Sequence, residues 1–229
     1  MNAKEKILVF GGTKGVGRQY VDMAREKLYP ASEVLVIARS ENLLEDIQSQ
    51  KESNSIEIKT KSLDISKEHE QEKALEIADE FDPTRVVYFI GGGPFGEFGQ
   101  KKWSSHDWAY QVNFLFPAKL IHHHLKKNMT TVRQMIFLGS AIAESKADPK
   151  SASYSAAKHA LLGLMKSVVE EGAFIDLRLF SPGYINTSLM PKADSLRSQG
   201  IKVFEPKEVA VELWKWQYEE DQNFHRIFR

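Results

Sequence analysis

A tyrosine and a lysine four residues apart, Tyr154 and Lys158, have the spacing in this sequence that best suits catalysis. The apolar residues between positions 161 and 168 recur at helical intervals, so the pair is predicted to open a buried helix. Residues four apart share a helix face, so the phenol and the ammonium should point the same way. A cation near a tyrosine lowers the pKa of the phenol from about 10, and such a phenol can protonate a carbonyl oxygen.

An ordinary surface contact is the alternative for this pair, since tyrosine and lysine at this spacing are common on exposed helices. Of the seven tyrosines, only Tyr154 has a lysine four residues further along. The rest of the chain must therefore distinguish a catalytic pair from a surface pair.

The composition is that of an ordinary globular protein of 229 residues, 42% hydrophobic and 27% charged. Lysine plus arginine number 31, as do aspartate plus glutamate, so no attraction to nucleic acid or to an anionic membrane is expected. The lack of cysteine excludes disulfides and thiolate metal sites, and His122-His123-His124 should not bind a metal because consecutive helix positions diverge. With no signal-peptide core and no apolar span near ~18 residues, a cytoplasmic enzyme or binding protein is predicted.

Short apolar runs alternate with amphipathic segments along the chain. Strands are predicted at residues 7–10, 34–37, 56–63, 86–90, 135–138 and 175–180. This alternation predicts an α/β fold, a doubly wound parallel sheet of the Rossmann type with helices on both faces. No linker interrupts it, so residues 1–229 are predicted to form a single domain. Residues 184–205 should form a flap over a site, followed by a helix from Pro206 and a short strand at 224–228.

A glycine-rich turn, Gly11-Gly12-Thr13-Lys14-Gly15-Val16-Gly17, separates the first predicted strand from the first helix. Glycine is needed where the backbone approaches a phosphate, and the following helix offers free N–H groups and a positive dipole end. The alternatives are a tight turn with nothing bound and a nucleoside-triphosphate loop, but no Gly-Lys-Ser/Thr closes this turn. The residues predicted to hold a dinucleotide here are Gly11, Thr13, Lys14, Gly15, Val16 and Gly17.

The end of the second strand indicates which dinucleotide is bound. Sites for NAD place a carboxylate there, whereas this chain has Ala38-Arg39-Ser40 and no carboxylate before Glu41. Arg39 and Lys14 could clasp a 2′-phosphate, because a guanidinium matches phosphate geometry. NADPH is therefore predicted over NADH, the alternative being that both cations are solvated surface residues.

The glycine spacing together with Tyr154-x-x-x-Lys158 resembles the short-chain dehydrogenase/reductase family, and the likeness runs over most of the chain. The resemblance implies that Asn113 is the catalytic asparagine and that Ser140 hydrogen-bonds the substrate oxygen. It also implies that Asp64 contacts adenine. The segment implied to contact nicotinamide and to lead into the substrate flap contains Pro182, Gly183, Ile185 and Thr187.

The sequence departs from the family pattern after the fourth strand and after Pro206, and Phe10 stands where the family usually has threonine. Where the family has Asn-Asn-Ala-Gly after the fourth strand, this chain has Ile90-Gly91-Gly92-Gly93. The backbone of Gly91 and Gly92 could still pass beside the cofactor, but the asparagine contacts that brace this strand are expected to be missing. The stretch after Pro206 is short and lacks the family's glycine-rich ending. That puts in question an oligomer contact of the last strand, although the family implies a homodimer or homotetramer.

The activity implied by the resemblance is NADPH-dependent hydride transfer to or from a small-molecule carbonyl or alcohol. Tyr154 would be the general acid, and Lys158 would lower its pKa and hold the ribose hydroxyls. Ser140 would orient the carbonyl, and Asn113 would anchor a water that relays protons; the alternatives are a capping serine and a buried structural amide. The altered segment after the fourth strand motivates a competing hypothesis, an NADP-binding regulatory or scaffold protein with a vestigial active site.

Overall fold

The structure is a computed structural model that describes residues 4–50, 56–127, 130–145, 149–188, 193–220 and 223–229. Its strands, in chain order, are β1 (Lys6–Phe10), β2 (Glu33–Ala38), β3 (Glu57–Ser62), β4 (Arg85–Tyr88), β5 (Gln134–Leu138), β6 (Asp176–Pro182), β7 (Tyr184–Ile185), β8 (Val203–Phe204) and β9 (His225–Phe228). Its helices are α1 (Gly15–Lys27), α2 (Glu41–Ser49), α3 (Glu68–Phe81), α4 (Trp103–Tyr110), α5 (Phe116–Lys126), α6 (Ala152–Glu170), α7 (Ala193–Ser198) and α8 (Pro206–Trp216). A 3-10 helix (Phe98–Gln100) precedes α4, and a π-helical turn (Gln111–Leu115) joins α4 to α5.

A seven-stranded parallel sheet runs in the order β3-β2-β1-β4-β5-β6-β9. Strand β1 pairs with β2 on one side and with β4 on the other, so the strand order reverses at this point. Strands β7 and β8 form a separate parallel pair. The predicted doubly wound sheet is confirmed, and ligands of such sheets bind outside the carboxyl ends of the strands at the reversal point.

Both faces of the sheet are covered by helices. In β1, Ile7 and Val9 belong to one buried cluster and Leu8 and Phe10 to the other, because successive side chains of a strand point to opposite faces. Helices α1, α2 and α8 supply the first cluster, and α3, α5 and α6 supply the second. Among the helices of the described segments, none is long and apolar enough to cross a bilayer.

The apolar residues Trp108, Val112, Leu115 and Ile121 predict one continuous helix here, with all four on its buried side. In the structure this helix is interrupted by the π-helical turn. A π-turn inserts an extra residue into the helix and rotates the face that follows. Leu115, which helical spacing places on the buried side, is therefore 43% exposed, and Phe116 is fully buried. The predicted position of Leu115 is wrong for this reason, and Asn113 lies completely buried inside the irregular turn.

Two strand ends differ from their predicted positions. Strand β4 ends at Tyr88 rather than at position 90; Phe89 still donates its N–H to the Phe10 carbonyl, and the glycine run then leaves the sheet. Strand β6 continues to Pro182 rather than ending at 180, because β9 pairs with it from Leu179 through Pro182. The last strand predicted at 224–228 is therefore present and forms the edge of the sheet.

A buried histidine in α5 is expected to make the stability of the fold depend on pH. His124 is 2% exposed, and neither of its ring nitrogens has a hydrogen-bond partner among the described residues. Burial, assisted by the nearby charge of His123, lowers the pKa of His124 from 6.5 to about 4. The unfolded chain therefore binds more protons than the folded protein between these two values, so stability falls as the pH drops through this range.

We expect His124→Leu to retain stability in acid that the wild type loses. The free energy of unfolding of the wild type should fall by up to about 3 kcal/mol more than that of the variant between pH 7 and pH ~4. Urea unfolding at both pH values measures the difference. His122→Leu is the control, because it makes the same substitution at an exposed position of the same helix. Equal losses in all three proteins would contradict the role assigned to His124.

Candidate active site

The first turns of α6 carry the predicted catalytic pair. Tyr154 is partly buried and Lys158 is 3% exposed. The Lys158 Nζ atom lies 5.6 Å from the centre of the Tyr154 ring and donates a 2.6 Å hydrogen bond to the Leu138 carbonyl at the end of β5. The two side chains therefore share a helix face that is directed at the carboxyl end of the sheet, as their spacing predicts.

Lys158 titrates in an unusual range for a lysine. Burial lowers the pKa of its ammonium from 10.5 to about 8, and the negative charge of Glu144 opposes this effect. At neutral pH the group is still mainly protonated and presents a positive charge beside the tyrosine ring. A cation in this position favours the ionised form of a neighbouring phenol.

Asn113 holds the glycine run that follows β4. Its Oδ1 accepts the Gly92 N–H at 3.2 Å, and its Nδ2 donates to the carbonyls of Gly92, at 2.7 Å, and Ala109, at 2.6 Å. The expectation that this strand end lacks bracing contacts is therefore wrong, because the amide of Asn113 supplies them from the π-turn. Both side-chain amide hydrogens of Asn113 are already donated to carbonyls. A water that relays protons at Asn113 would therefore have to bind one of the carbonyl oxygens of this residue.

The glycine run is the junction at which the candidate residues meet. A β-carbon placed on Gly91 would lie 2.9 Å from Asn113 Oδ1 and 3.6 Å from Lys158 Nζ. One placed on Gly93 would lie 3.0 Å from the Tyr154 β-carbon. At the other end of the run, a β-carbon on Gly11 would meet Ile90 Cγ1 at 2.7 Å. The segment that departs from the family pattern is thus packed against both the glycine-rich turn and the predicted catalytic residues.

Ser140 opens the turn that follows β5. Its N–H donates to Glu144 Oε1 at 2.7 Å, and its Oγ accepts the Ala143 N–H at 3.2 Å. Ser140 lies two residues after Leu138, whose carbonyl binds the Lys158 ammonium. The Ser140 hydroxyl therefore accepts a hydrogen bond within its own turn. It also lies at the end of β5, the strand end to which the Lys158 ammonium binds.

The glycine-rich turn between β1 and α1 has the backbone that a phosphate-binding turn requires. Gly11 and Gly15 have φ values of 86° and 55°, in the left-handed region. A β-carbon on Gly17 would lie 2.1 Å from the Gly11 carbonyl oxygen, so only glycine lets α1 pack this closely on the turn. Lys14 is the exposed N-cap residue, and within the described residues no side chain caps this helix end. Thr13 is partly exposed, and Val16 is buried.

The predicted adenosine contacts lie after β2 and β3. Arg39 is exposed, and its guanidinium carbon lies 5.7 Å from the centre of the Trp108 ring. Asp64 is engaged locally, since its Oδ1 accepts the N–H and the Oγ–H of Ser66 at 3.2 and 2.8 Å. A cavity of about 500 Å³ adjoins Arg39 and is lined by Arg39, Gly93, Pro94, Ser104, Ser105 and Trp108.

The segment predicted to contact nicotinamide leads from β6 toward the glycine-rich turn. The Pro182 carbonyl accepts the Ala141 N–H at 2.9 Å, and the Gly183 N–H donates to the Phe228 carbonyl at 2.8 Å. Ile185 lies in β7, opposite Phe204 of β8. The Thr187 Cγ2 atom would be 3.4 Å from a β-carbon on Gly15, so this segment approaches the start of α1. Part of the predicted flap, residues 189–192, lies outside the described residues.

Sequence patterns gave no indication of a buried carboxylate beside this site. The side chain of Glu144 is 3% exposed and contacts the Ser140 backbone, Ser181 and His225. The one signal in the sequence is an acidic residue directly after the small apolar stretch Ala141-Ile142-Ala143. The sequence predicts no metal site. In the segments that the structure describes, no three His, Asp or Glu side chains form a group that could hold a metal ion.

Comparison with solved structures shows the same fold in several oxidoreductases. An alcohol dehydrogenase from the archaeon Thermococcus sibiricus complexed with 5-hydroxy-NADP is 19% identical, with a TM-score of 0.83 over 99% of this chain and 97% of that one. A short chain dehydrogenase from Burkholderia cenocepacia J2315 in complex with NADP is 18% identical, with a TM-score of 0.84 over 99% and 96%. The bulky-bulky ketone specific alcohol dehydrogenase from Comamonas testosteroni is 18% identical, with a TM-score of 0.77 over 99% and 86%.

Comparison at the level of sequence identifies the family. No significant match was found among curated protein sequences. The sequence profile described as short chain dehydrogenase matches residues 5–197, which is most of the chain. The resemblance predicted from the glycine-rich turn and the Tyr154–Lys158 pair is confirmed, and the chain belongs to the short-chain dehydrogenase family of oxidoreductases.

Proposed function

We propose that this protein is an NADPH-dependent oxidoreductase that transfers a hydride between nicotinamide and a carbonyl or alcohol substrate, with Tyr154 as general acid and base. The observation that carries the proposal is the packing around Gly91–Gly93. Asn113, Lys158 and Tyr154 all border this run, and the glycine-rich turn adjoins its first end. Membership of an oxidoreductase family supports the same conclusion.

The residues present fit a dinucleotide. The left-handed glycines, the close approach of Gly17 to Gly11 and the uncapped start of α1 suit a pyrophosphate. We propose that this turn binds the phosphates and that Asp64 contacts the adenine. Gly91, Gly92 and the segment from Pro182 to Thr187 would border the nicotinamide half, and Lys158 would hold the ribose hydroxyls. When bound, the nicotinamide supplies or accepts the hydride.

The remaining steps are assigned to side chains of this chain. Ser140 donates a hydrogen bond to the substrate oxygen and orients the carbonyl. Tyr154 gives its proton to that oxygen as negative charge develops there, and in the reverse direction it takes the proton back. The Lys158 ammonium stabilises the resulting phenolate. Asn113 keeps the Gly91–Gly92 backbone in place through its hydrogen bonds to Gly92. Tyr154 and Lys158 therefore pack against a backbone segment of fixed position.

The preference for NADPH is proposed from Arg39, which stands exposed after β2 where NAD-specific sites carry an acid. The structures from Thermococcus sibiricus and Burkholderia cenocepacia were complexed with 5-hydroxy-NADP and NADP, which supports the same choice. Lys14, exposed at the start of α1, is proposed as the second cation for the 2′-phosphate.

Arg39→Ala should weaken NADPH binding by about 10-fold or more and change NADH binding little. The physical reason is the loss of a charge-assisted hydrogen bond worth about 1.5–3 kcal/mol to the 2′-phosphate. Fluorescence titration with each coenzyme measures both affinities. Arg133→Ala is a matched control, because Arg133 is exposed at the opposite, amino end of β5. Equal losses for both coenzymes would mean that Arg39 makes no contact with this phosphate.

The wider assignment treats residues 1–229 as one NAD(P)-binding domain with residues 184–205 as its substrate flap. The substrate is a small molecule rather than a nucleic acid, and the protein is proposed to be cytoplasmic.

A homodimer or homotetramer is proposed because large apolar side chains are exposed around α4 and the π-turn. Trp103 is 66% exposed and Leu115 is 43% exposed.

A binding protein with a vestigial site is the competing function, motivated by the altered run after β4. The presence of the complete set Asn113, Ser140, Tyr154 and Lys158 weighs against it. Purified protein should therefore consume NADPH with at least one member of a broad panel of aldehydes and ketones. Tight NADPH binding without consumption across the panel would favour the binding protein.

A further inference from the structure

The carboxylate of Glu144 lies in the polar interior behind the Ser140 turn. Its side chain is 3% exposed, although the residue lies in the turn that follows β5. Burying a carboxylate costs free energy unless hydrogen bonds or an opposite charge compensate. The arrangement of groups around Glu144 therefore indicates what the carboxylate does.

Each oxygen of this carboxylate has a separate set of partners. Oε1 accepts the Ser140 N–H at 2.7 Å. Oε2 accepts the Ser181 Oγ–H at 2.6 Å and lies 3.2 Å from His225 Nε2, which is also 2.9 Å from Ser181 Oγ. One oxygen thus fixes the turn after β5, and the other connects that turn to β6 and β9.

The packing leaves this carboxylate little freedom to move. A β-carbon on Gly139 would lie 2.2 Å from Ser181 Oγ and 2.5 Å from Glu144 Oε1. The guanidinium of Arg229, just after β9, donates to the Ala141 carbonyl at 3.0 Å and to Ser145 Oγ at 2.9 Å. The turn is therefore held from several sides, and the carboxylate is pressed against the backbone that precedes Ser140.

We propose that Glu144 is a positioning residue of the active site, which fixes the backbone of Ser140 and places a negative charge at the end of β5, where the Lys158 ammonium binds the Leu138 carbonyl. Ser181 and His225 hold the carboxylate in place for both tasks. This inference rests on the proposed function, because it gives Glu144 its role through the serine and the lysine assigned there.

The second part of the role follows from the surroundings of Lys158. The ammonium is buried, and the acceptor of its hydrogen bond is the neutral carbonyl of Leu138. The charge of Glu144 opposes the lowering of the Lys158 pKa that burial causes. His225 on β9 lies 3.2 Å from the carboxylate, and the guanidinium of Arg229 binds the carbonyl of Ala141 in the same turn. Neither of these side chains is acidic, and Tyr154 is the titratable side chain beside the Lys158 ammonium.

Replacing Glu144 by glutamine separates its hydrogen bond to the Ser140 backbone from its negative charge. In Glu144→Gln, the side-chain carbonyl can still accept the Ser140 N–H, while the negative charge is lost. We expect the titration midpoint of Lys158, followed by carbon-13 NMR of its ε-carbon, to fall by about one pH unit. The high-pH limb of the kcat profile should move down in parallel. The Lys158→Met spectrum identifies the resonance, and Glu170→Gln makes the same chemical change at an exposed position at the end of α6.

An unchanged Lys158 midpoint in folded Glu144→Gln, or an equal shift in Glu170→Gln, would overturn the proposal. If Glu144→Gln does not fold, the wild type still decides, because its Glu144 carboxyl carbon resonance should shift as Lys158 deprotonates near pH 8. A flat Glu144 resonance through that range would also overturn it. The NMR titrations do not depend on turnover. If the proposed reductase activity is wrong, this will be seen separately, because the protein will consume no NADPH with the carbonyl panel.

Discussion

Tyr154→Phe is expected to lower kcat by about 10³-fold and to leave NADPH binding unchanged. The variant removes the proton donor and keeps the ring, so the packing of Tyr154 on the Gly93 backbone and beside Lys158 is retained. Steady-state kinetics with any carbonyl that the wild type reduces, together with coenzyme titration, measures both effects.

Tyr29→Phe provides the control for this prediction. Tyr29 is 48% exposed at the end of the α1 region, far from the carboxyl ends of the strands, so its hydroxyl should be dispensable. A Tyr154→Phe variant that turns over as fast as Tyr29→Phe would remove Tyr154 from the mechanism. A variant that loses coenzyme binding as well would assign the hydroxyl to binding rather than to proton transfer.

Gly17→Ala should weaken NADPH binding by about 100-fold or more and lower the free energy of unfolding by about 1–3 kcal/mol. The added methyl group would lie 2.1 Å from the Gly11 carbonyl oxygen, so α1 must move away from the turn. That movement shifts the helix start and the N–H groups that are proposed to face the pyrophosphate. Coenzyme titration and thermal unfolding measure the two losses.

Gly163→Ala is the matched control for this substitution. Gly163 lies inside α6, and a β-carbon there would meet nothing within 4 Å. The control should gain about 0.5–1 kcal/mol of stability, because alanine favours the helix, and should bind NADPH like the wild type. Normal binding by a folded Gly17→Ala variant would mean that the glycine-rich turn is not the dinucleotide site.

The fold was largely predictable because its buried strands are nearly continuous apolar runs. Both faces of β1 are covered, so residues 7–10 are all apolar, and the neighbouring glycines mark where the strand ends. Leu115 was not predictable. Its exposure follows from the π-turn, and helical periodicity contains no signal for one extra residue.

The candidate site was predictable where one helix or one turn contains the relevant spacing. Tyr154 and Lys158 are four residues apart in α6, and the glycines of the first turn are contiguous. The contact of His225 with Ser181 spans 44 residues and exists only because β9 pairs with β6. The role of Glu144 depends on that pairing, so local patterns could not indicate it.

The glycine run after β4 illustrates a third limit of sequence reasoning. Its difference from the family pattern suggested a weakened site, because the usual asparagines are absent. In the structure, Asn113 reaches the run from the π-turn and bonds to both backbone groups of Gly92. A β-carbon at Gly91 would lie 2.9 Å from the Oδ1 atom of that amide, so glycine at this position leaves room for the asparagine.

Transfer of deuterium from the coenzyme to a substrate tests the central claim most directly. The protein is incubated with NADPH deuterated at the reactive position of the nicotinamide and with a carbonyl compound, and the alcohol is analysed by mass spectrometry. We predict one carbon-bound deuterium per alcohol with the wild type and almost none with Tyr154→Phe. NADPH that binds tightly while no carbonyl compound acquires deuterium would contradict the account and leave a protein that binds the coenzyme without using it.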